Sequence, residues 1–287
     1  MDETPVKLLD ATSKGYLWVY FAPHLAPGRG LVCIELKATR QGAVAEERLA
    51  TFEGLLQTDG YSGYASLRKR KNITGFSCMT HARRKFSDVI KISNDHNGIA
   101  AEVIKKLQPL YELEAMMRHH KIPLRSRKRF RQQYAKPLLI GIHQWLVKIA
   151  PNILPKSKLA NAVHYILNQW PYLINYVNHG MAEIDTNGVE RQIRPMAIGR
   201  KNWLFMKNEN TGKVHSTFYS LILSATLNNL NPRLYLHYLI TKMHDIRRGI
   251  LDPATLLPHV IKAEVLKTFH DQLIAEAKII LHHSGQL

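Results

Sequence analysis

The feature that most constrains this chain is a change of period along it. Three short runs rich in Val, Leu, Ile, Tyr and Trp come first: Thr4 to Leu9, Tyr16 to Ala22 and Leu31 to Lys37. Gly and Pro separate them, which predicts three strands joined by hairpins, with Gly28-Arg29-Gly30 at the second turn. Helix and strand patterns then alternate. A helix is expected over Gln41 to Phe52, a strand over Leu55 to Asp59 ended by Gly60, and a helix over Ser62 to Lys71. A strand over Ile73 to Ser77 and a helix over Thr80 to Ile92 complete this part. From about Gly98 the strand signals stop. Helical stripes run through Ile99, Val103, Leu107 and Leu110, then Phe130, Tyr134, Leu138, Ile142, Leu146 and Ile149, then Leu159, Val163, Ile166, Leu167 and Trp170. Pro137 is expected to bend or start a helix, Ser157 to cap one and Gly180 to stop one. Asp185-Thr186-Asn187 predicts the start of a helix through Glu190, Arg191 and Arg194 that closes near Pro195. Strand and turn character follows over Ile198 to Met206, then helices over Ser216 to Leu230 and Leu234 to Met243, then a loop and a last helix.

A strand meander followed by alternating helix and strand predicts an α/β fold: a mixed sheet with flanking helices, interrupted by an all-helical insertion. This is the element order of the ribonuclease H-like fold, an analogy of architecture that carries no activity by itself. The expected division is a first core part over 1–92 with Asp2 and Asp59, an insertion over 93–184, a second core part over 185–250 with Glu190, and a C-terminal helical tail over 251–287.

Charge narrows the partner. Forty Lys and Arg against 22 Asp and Glu leave +18 at pH 7, and a surface that basic seeks a polyanion because each neutralised phosphate releases counterions. Nucleic acid is the leading partner; acidic lipid or ribosomal RNA would also answer to charge alone. The two cysteines, Cys33 and Cys78, are too few for a disulfide framework or a four-thiolate zinc site. Cys78 and His81 have ligand-like spacing but no paired second half. The opening Met1-Asp2-Glu3-Thr4 lacks the pattern of a secretory signal and no apolar run is membrane-spanning. A cytoplasmic, nucleoid-associated protein is expected.

Many Asp–Asp–Glu triples exist in a chain with 22 acids, so placement decides among them. Asp2 leads into the first strand, Asp59 ends another at a glycine turn, and Glu190 sits one turn into a helix after the insertion. Three converging carboxylates repel unless cations offset them. Two Mg²⁺ ions, with Mn²⁺ as a substitute, about 3.5–4 Å apart would activate a water or a 3′-hydroxyl for in-line attack on phosphorus.

Local motifs sharpen this. Met1-Asp2-Glu3-Thr4-Pro5, Gly15-Tyr16-Leu17-Trp18-Val19-Tyr20, Thr58-Asp59-Gly60-Tyr61-Ser62-Gly63-Tyr64 and His81-Ala82-Arg83-Arg84-Lys85-Phe86 occur in that order. Ile184-Asp185-Thr186-Asn187-Gly188-Val189-Glu190-Arg191-Gln192-Ile193-Arg194-Pro195 follows, then Gly199-Arg200-Lys201-Asn202-Trp203 and Leu227-Asn228-Asn229-Leu230-Asn231-Pro232. The series resembles the insertion sequence 66 family of transposases. The resemblance implies a catalytic and metal-binding triad of Asp2, Asp59 and Glu190, cutting of element ends, and joining of 3′-hydroxyls to target double-stranded DNA by a dimer or larger assembly. The chain departs from the family pattern at Thr186, where Asn is usual, and over Lys207 to Lys213, which replace a glycine-rich stretch. The family also carries a long N-terminal region before the first Asp, whereas here only Met1 precedes it. Asp2 is therefore expected on a frayed end. The alternatives to an active transposase are an inactive, truncated DNA-binding remnant and a ribonuclease H-like structure-specific nuclease.

Candidate DNA contacts are His81, Arg83, Arg84 and Lys85 at a helix start, Arg191 and Arg194 beside Glu190, and Arg200, Lys201 and Trp203. Against each stands a plainer reading: an exposed basic face, salt bridging, or, for Trp203, core packing. Arg125 to Arg131 is either a solvated basic run or a phosphate grip.

Overall fold

A computed structural model describes residues 1–10, 14–26 and 28–283. The elements run β1 (Asp2–Lys7), β2 (Lys14–Ala26), β3 (Arg29–Lys37), α1 (Gly42–Arg48), β4 (Gly54–Gln57), α2 (Ala65–Arg68), β5 (Ile73–Phe76) and α3 (Met79–Ser93). This is the predicted order of strands and helices. Helices α4 (Ile99–His119), α5 (Leu124–Phe130), α6 (Lys136–Ile149) and α7 (Lys158–Leu173) follow. After them come α8 (Asn187–Trp203), α9 (Glu209–Leu227), α10 (Pro232–Thr241), α11 (Met243–Arg247) and α12 (Ala263–His283). The architecture is mixed α/β. No described helix is long and apolar enough to cross a membrane. The expected tail over 251–287 extends past the described residues.

The chain divides into two compact units, one of Met1–Asp2 with Thr39–Glu190, the other of Glu3–Ala38 with the described residues from Arg191 onward. In the first, β4 and β5 pair in parallel, Gly54 opposite Ile73 and Gln57 opposite Phe76. A parallel pair needs a crossover, which α2 and the turn at Ser62–Tyr64 supply. The helix expected over Ser62 to Lys71 is thus a 3₁₀ turn and a four-residue helix. The core gathers Phe86 of α3, Val103, Leu107 and Leu110 of α4, Leu139, Ile142 and Leu146 of α6, and Val163, Ile166 and Trp170 of α7. Ser157 caps α7, its side chain accepting the Ala160 amide. Pro137 stands at the start of α6, directly after a π-helical turn.

One stripe differs from its expectation. Tyr134 and Leu138 are exposed, while Arg131, Ala135 and Leu139 are buried. Residues Arg131–Ala135 form a π-helical turn, and its wider winding shifts the phase by a residue. The inward face of this helix therefore begins with an arginine.

In the second unit, the sheet has the order β1-β2-β3. β2 and β3 are antiparallel, from Tyr16 opposite Lys37 to Ala22 opposite Leu31. Their hairpin turns at Gly28, whose φ of 70° is left-handed and suits glycine. β3 buries alternate residues Gly30, Val32, Ile34 and Leu36. The free edge of β3 is hydrogen-bonded by side chains of α9 and of Asn228 at its C-terminal end. The amides of Gly30, Val32 and Ile34 donate to Asn228 Oδ1, Ser224 Oγ and Ser220 Oγ at 3.1, 3.0 and 2.9 Å. Ser224 Oγ and Asn228 Nδ2 donate back to the Val32 and Gly30 carbonyls. The spacings match: four helical residues rise about 6 Å and two strand residues about 6.6 Å. Gly30 and Gly212 permit the approach, since a Cβ at Gly30 would meet Leu227 at 2.5 Å and one at Gly212 would overlap Leu36.

Two expectations near α8 and α9 are corrected. α8 passes through Pro195 and ends at Trp203, so Ile198 to Met206 is not strand for most of its length. Pro195 and Arg191, the residue whose carbonyl loses its bond, both lie on the exposed side, where water can serve that carbonyl. Buried Val189 and Met196 hold the opposite face. α9 begins at Glu209 rather than Ser216, because Asn208 and Thr211 form a reciprocal cap.

Candidate active site

Each sequence-predicted acid stands at the end of an element. Asp2 opens β1 and is half-buried. Met1 beside it is buried, and its ammonium donates to the Gln57 carbonyl at 2.7 Å. That bond corrects the expectation of a frayed end and brings the start of β1 to the end of β4. Beyond β4, the buried Thr58 continues the pairing through its amide to the Phe76 carbonyl. The chain then turns at Asp59, whose Oδ1 accepts the Tyr61 amide at 2.9 Å. Such an Asx turn fixes the side chain at the sheet end. The Gly60 amide donates to the Tyr165 hydroxyl at 3.2 Å. Burial first, and then the Asp59 carboxylate, push that hydroxyl up to about 12.

Glu190 is set by a second chain of bonds. Asp185 accepts the Asn187 amide and the Thr80 hydroxyl, and the buried Cys78 Sγ accepts the Thr186 amide at 3.2 Å. The Thr186 carbonyl then takes the Glu190 amide, the first turn of α8. His81 Nε2 stands 3.9 Å and Arg84 NH2 3.6 Å from the Glu190 carboxylate. Both are ion-pair distances rather than hydrogen bonds. Glu190 Oε1 is buried and has no hydrogen-bond donor.

His81 links the two acids. Its imidazole is held above its ordinary value by the Cys78 sulfur and the Asp59 carboxylate, against burial and Arg84, which lower it. The structure thus brings Asp59, His81, Arg84 and Glu190 into one neighbourhood. Met1, the neighbour of Asp2, is joined to it through Gln57, two residues before Asp59. Among the described residues, no three His, Cys, Asp or Glu side chains form a group that could hold a metal ion.

The candidate DNA contacts separate into roles. Arg84 and Lys85 are exposed, whereas Arg83 lies 5.9 Å over the Tyr111 ring and is half-buried. In the second unit, Arg191, Arg194 and Lys201 are exposed and Arg200 donates to the Pro5 carbonyl. Trp203 is half-buried, 5.9 Å from the His215 ring. Cys78, Tyr165 and Arg131 carry contacts that sequence reasoning did not assign. The only signal for Arg131 was its place four residues after Arg127 in a basic run, which reads equally well as a solvated face.

A family model described as "Transposase IS66 family" matches residues 1–214. Curated relatives include two uncharacterized proteins of Sinorhizobium fredii. One, y4jD, is 32% identical over 92% of this chain and 53% of its own length; the other, y4qI, is 31% identical over 84% of this chain and 47% of its own. The chain therefore spans about half the length of the curated relatives it matches. No solved structure matches it. With the match running from Met1 through both carboxylate-bearing turns and α8, the chain belongs to the Transposase IS66 family.

Proposed function

We propose that this protein cuts DNA at the ends of an insertion sequence and joins the released 3′-hydroxyls to target DNA, with Asp2, Asp59 and Glu190 as its catalytic carboxylates on a ribonuclease H-like frame. The order of strands and helices and the parallel β4–β5 pair support that frame. The observation that carries the chemistry is the buried Glu190 oxygen without a donor, facing a histidine that also feels the Asp59 carboxylate.

An orphaned carboxylate oxygen suits a hard divalent cation. Asp59 and Glu190, with Asp2 from the neighbouring strand start, would hold Mg²⁺ or Mn²⁺. When bound, two such ions supply an activated oxygen nucleophile and offset charge on the phosphorus oxygens. The protein's own groups do the rest. The Asx turn at Asp59 and the capped start of α8 fix the carboxylates before substrate arrives. Arg84 and Lys85 place positive charge beside them for the phosphate backbone. In cutting, an oxygen of water bonds to phosphorus as the bond to the 3′-oxygen breaks. In joining, that 3′-hydroxyl attacks a target phosphodiester and displaces a target 3′-oxygen, with one proton lost to solvent and one taken up. Joining two element ends calls for at least two copies on DNA.

The test is cleavage and strand transfer with Mg²⁺ or Mn²⁺ on duplexes copied from the sequences flanking the coding region. Asp59→Asn and Glu190→Gln are expected to lower the rate by about a hundredfold or more while DNA binding persists. Undiminished cleavage by either variant removes the proposed site.

A further inference from the structure

The helices between Ile99 and Leu173 do more than interrupt the sequence between Asp59 and Glu190. Tyr165, Gln169 and Tyr172 lie four and three residues apart, hence on one face of α7. That face is bonded to the end of the β4–β5 pair. Tyr165 takes the Gly60 amide. Gln169 Oε1 accepts both Arg68 NH1 and Ser77 Oγ, at 2.8 and 3.0 Å. The Tyr172 carbonyl accepts the Ser77 amide, and the Arg68 guanidinium lies 4.4 Å over the Tyr172 ring. The turn that presents Asp59 is thus braced from α7.

Arg131 does the same for Glu190. Fully buried, it forks onto both Glu114 oxygens at 2.7 and 2.8 Å. Its NH1 donates to the carbonyls of His179 at 2.6 Å and Ala182 at 2.7 Å. Arg127 then reaches Glu183 at 3.4 Å. From the other side the same stretch is taken up by Gln57 Nε2 on the Glu183 carbonyl and by the Met79 amide on the Ile184 carbonyl. Four residues past Ala182, the Thr186 carbonyl receives the Glu190 amide. A buried ion pair is a weak source of stability beside apolar packing, but its directed bonds fix geometry.

We propose that the helical region is the positioning element for the catalytic carboxylates, with Tyr165 setting the Asp59 turn and Arg131 setting the approach to Glu190. This rests on the reading of those acids as catalytic. Displacement of a reacting group by about 1 Å can cost about a hundredfold in rate, so both tethers bear on turnover without touching DNA.

Hydrogen–deuterium exchange and Mn²⁺ calorimetry on the full chain test it. Arg131→Lys is expected to speed exchange over residues 179–190 and to weaken Mn²⁺ binding by about tenfold or more. Exchange in β2 and β3 stays unchanged. Tyr165→Phe is expected to act likewise over residues 58–61. Should Arg131→Lys fail to fold, Arg127→Gln loosens the same stretch through Glu183. Exchange that rises evenly along the chain, or local loosening with Mn²⁺ affinity intact, overturns the proposal. Absence of Mn²⁺ binding by the unmodified protein instead overturns the catalytic reading, and the exchange pattern alone then decides whether the helices hold these two turns.

Discussion

Gly60 presents only a hydrogen to the Tyr165 ring. A Cβ there would stand 2.5 Å from the hydroxyl oxygen and 2.7 Å from Cε2, closer than nonbonded atoms settle. Gly60→Ala is therefore expected to destabilise the protein by about 1–3 kcal/mol, as overpacking does, read as a lower urea midpoint with an unchanged slope. Glu114→Ala is expected to do more harm. It leaves the wholly buried Arg131 guanidinium without its counter-charge, at a cost of about 3–5 kcal/mol. A midpoint shift no larger than that of a surface substitution would contradict the assigned burial. Of these residues only the glycine was legible, because a strand ending in Asp-Gly is a turn signal in any sequence. The places of Asp59 at a turn and of Glu190 in a first helical turn were legible for the same reason, each lying beside a recognisable pattern. Tyr165 and Arg131 were not, since their importance comes from what the fold sets opposite them: an amide in one case, two carbonyls and an acid in the other.

Among the elements, the alternation of strand and helix up to α3 could be read directly, as each strand carries β-branched or aromatic residues between turn formers. Errors came where a local signal met a longer-range constraint. Pro195 predicted an end to α8, but the buried Val189 and Met196 carry the helix past it. The apolar phase of Tyr134 and Leu138 predicted the wrong face, because a π-helical turn is invisible to a fixed period. Ser220, Ser224 and Asn228 lay within the helix expected over Ser216 to Leu230, and their spacing had no visible counterpart until β3 was beside them. Ser224→Ala is a sharp check of that arrangement. It strips both the Val32 amide and the Val32 carbonyl of their partner, and about 1–3 kcal/mol of stability should go with them. Exchange at the Val32 amide should accelerate in the same variant.

For the whole molecule, the +18 charge predicts that the proposed duplex DNA binding depends strongly on salt. If about six to ten phosphates are neutralised, affinity should fall by about 10³–10⁵ between 50 and 200 mM salt, and a flat response would remove the electrostatic basis of the DNA reading. Composition disclosed this much without any structure. It could not disclose which cations are already committed, such as Arg131 to Glu114 and Arg200 to Pro5. The comb of serine and asparagine side chains on β3 has an outcome of its own for assembly. Amides that already have partners cannot recruit an outside chain, and the usual route by which sheets grow from one molecule into the next is shut at that margin. A companion copy that meets this margin must then do so through side chains, leaving its ribbon of backbone to itself.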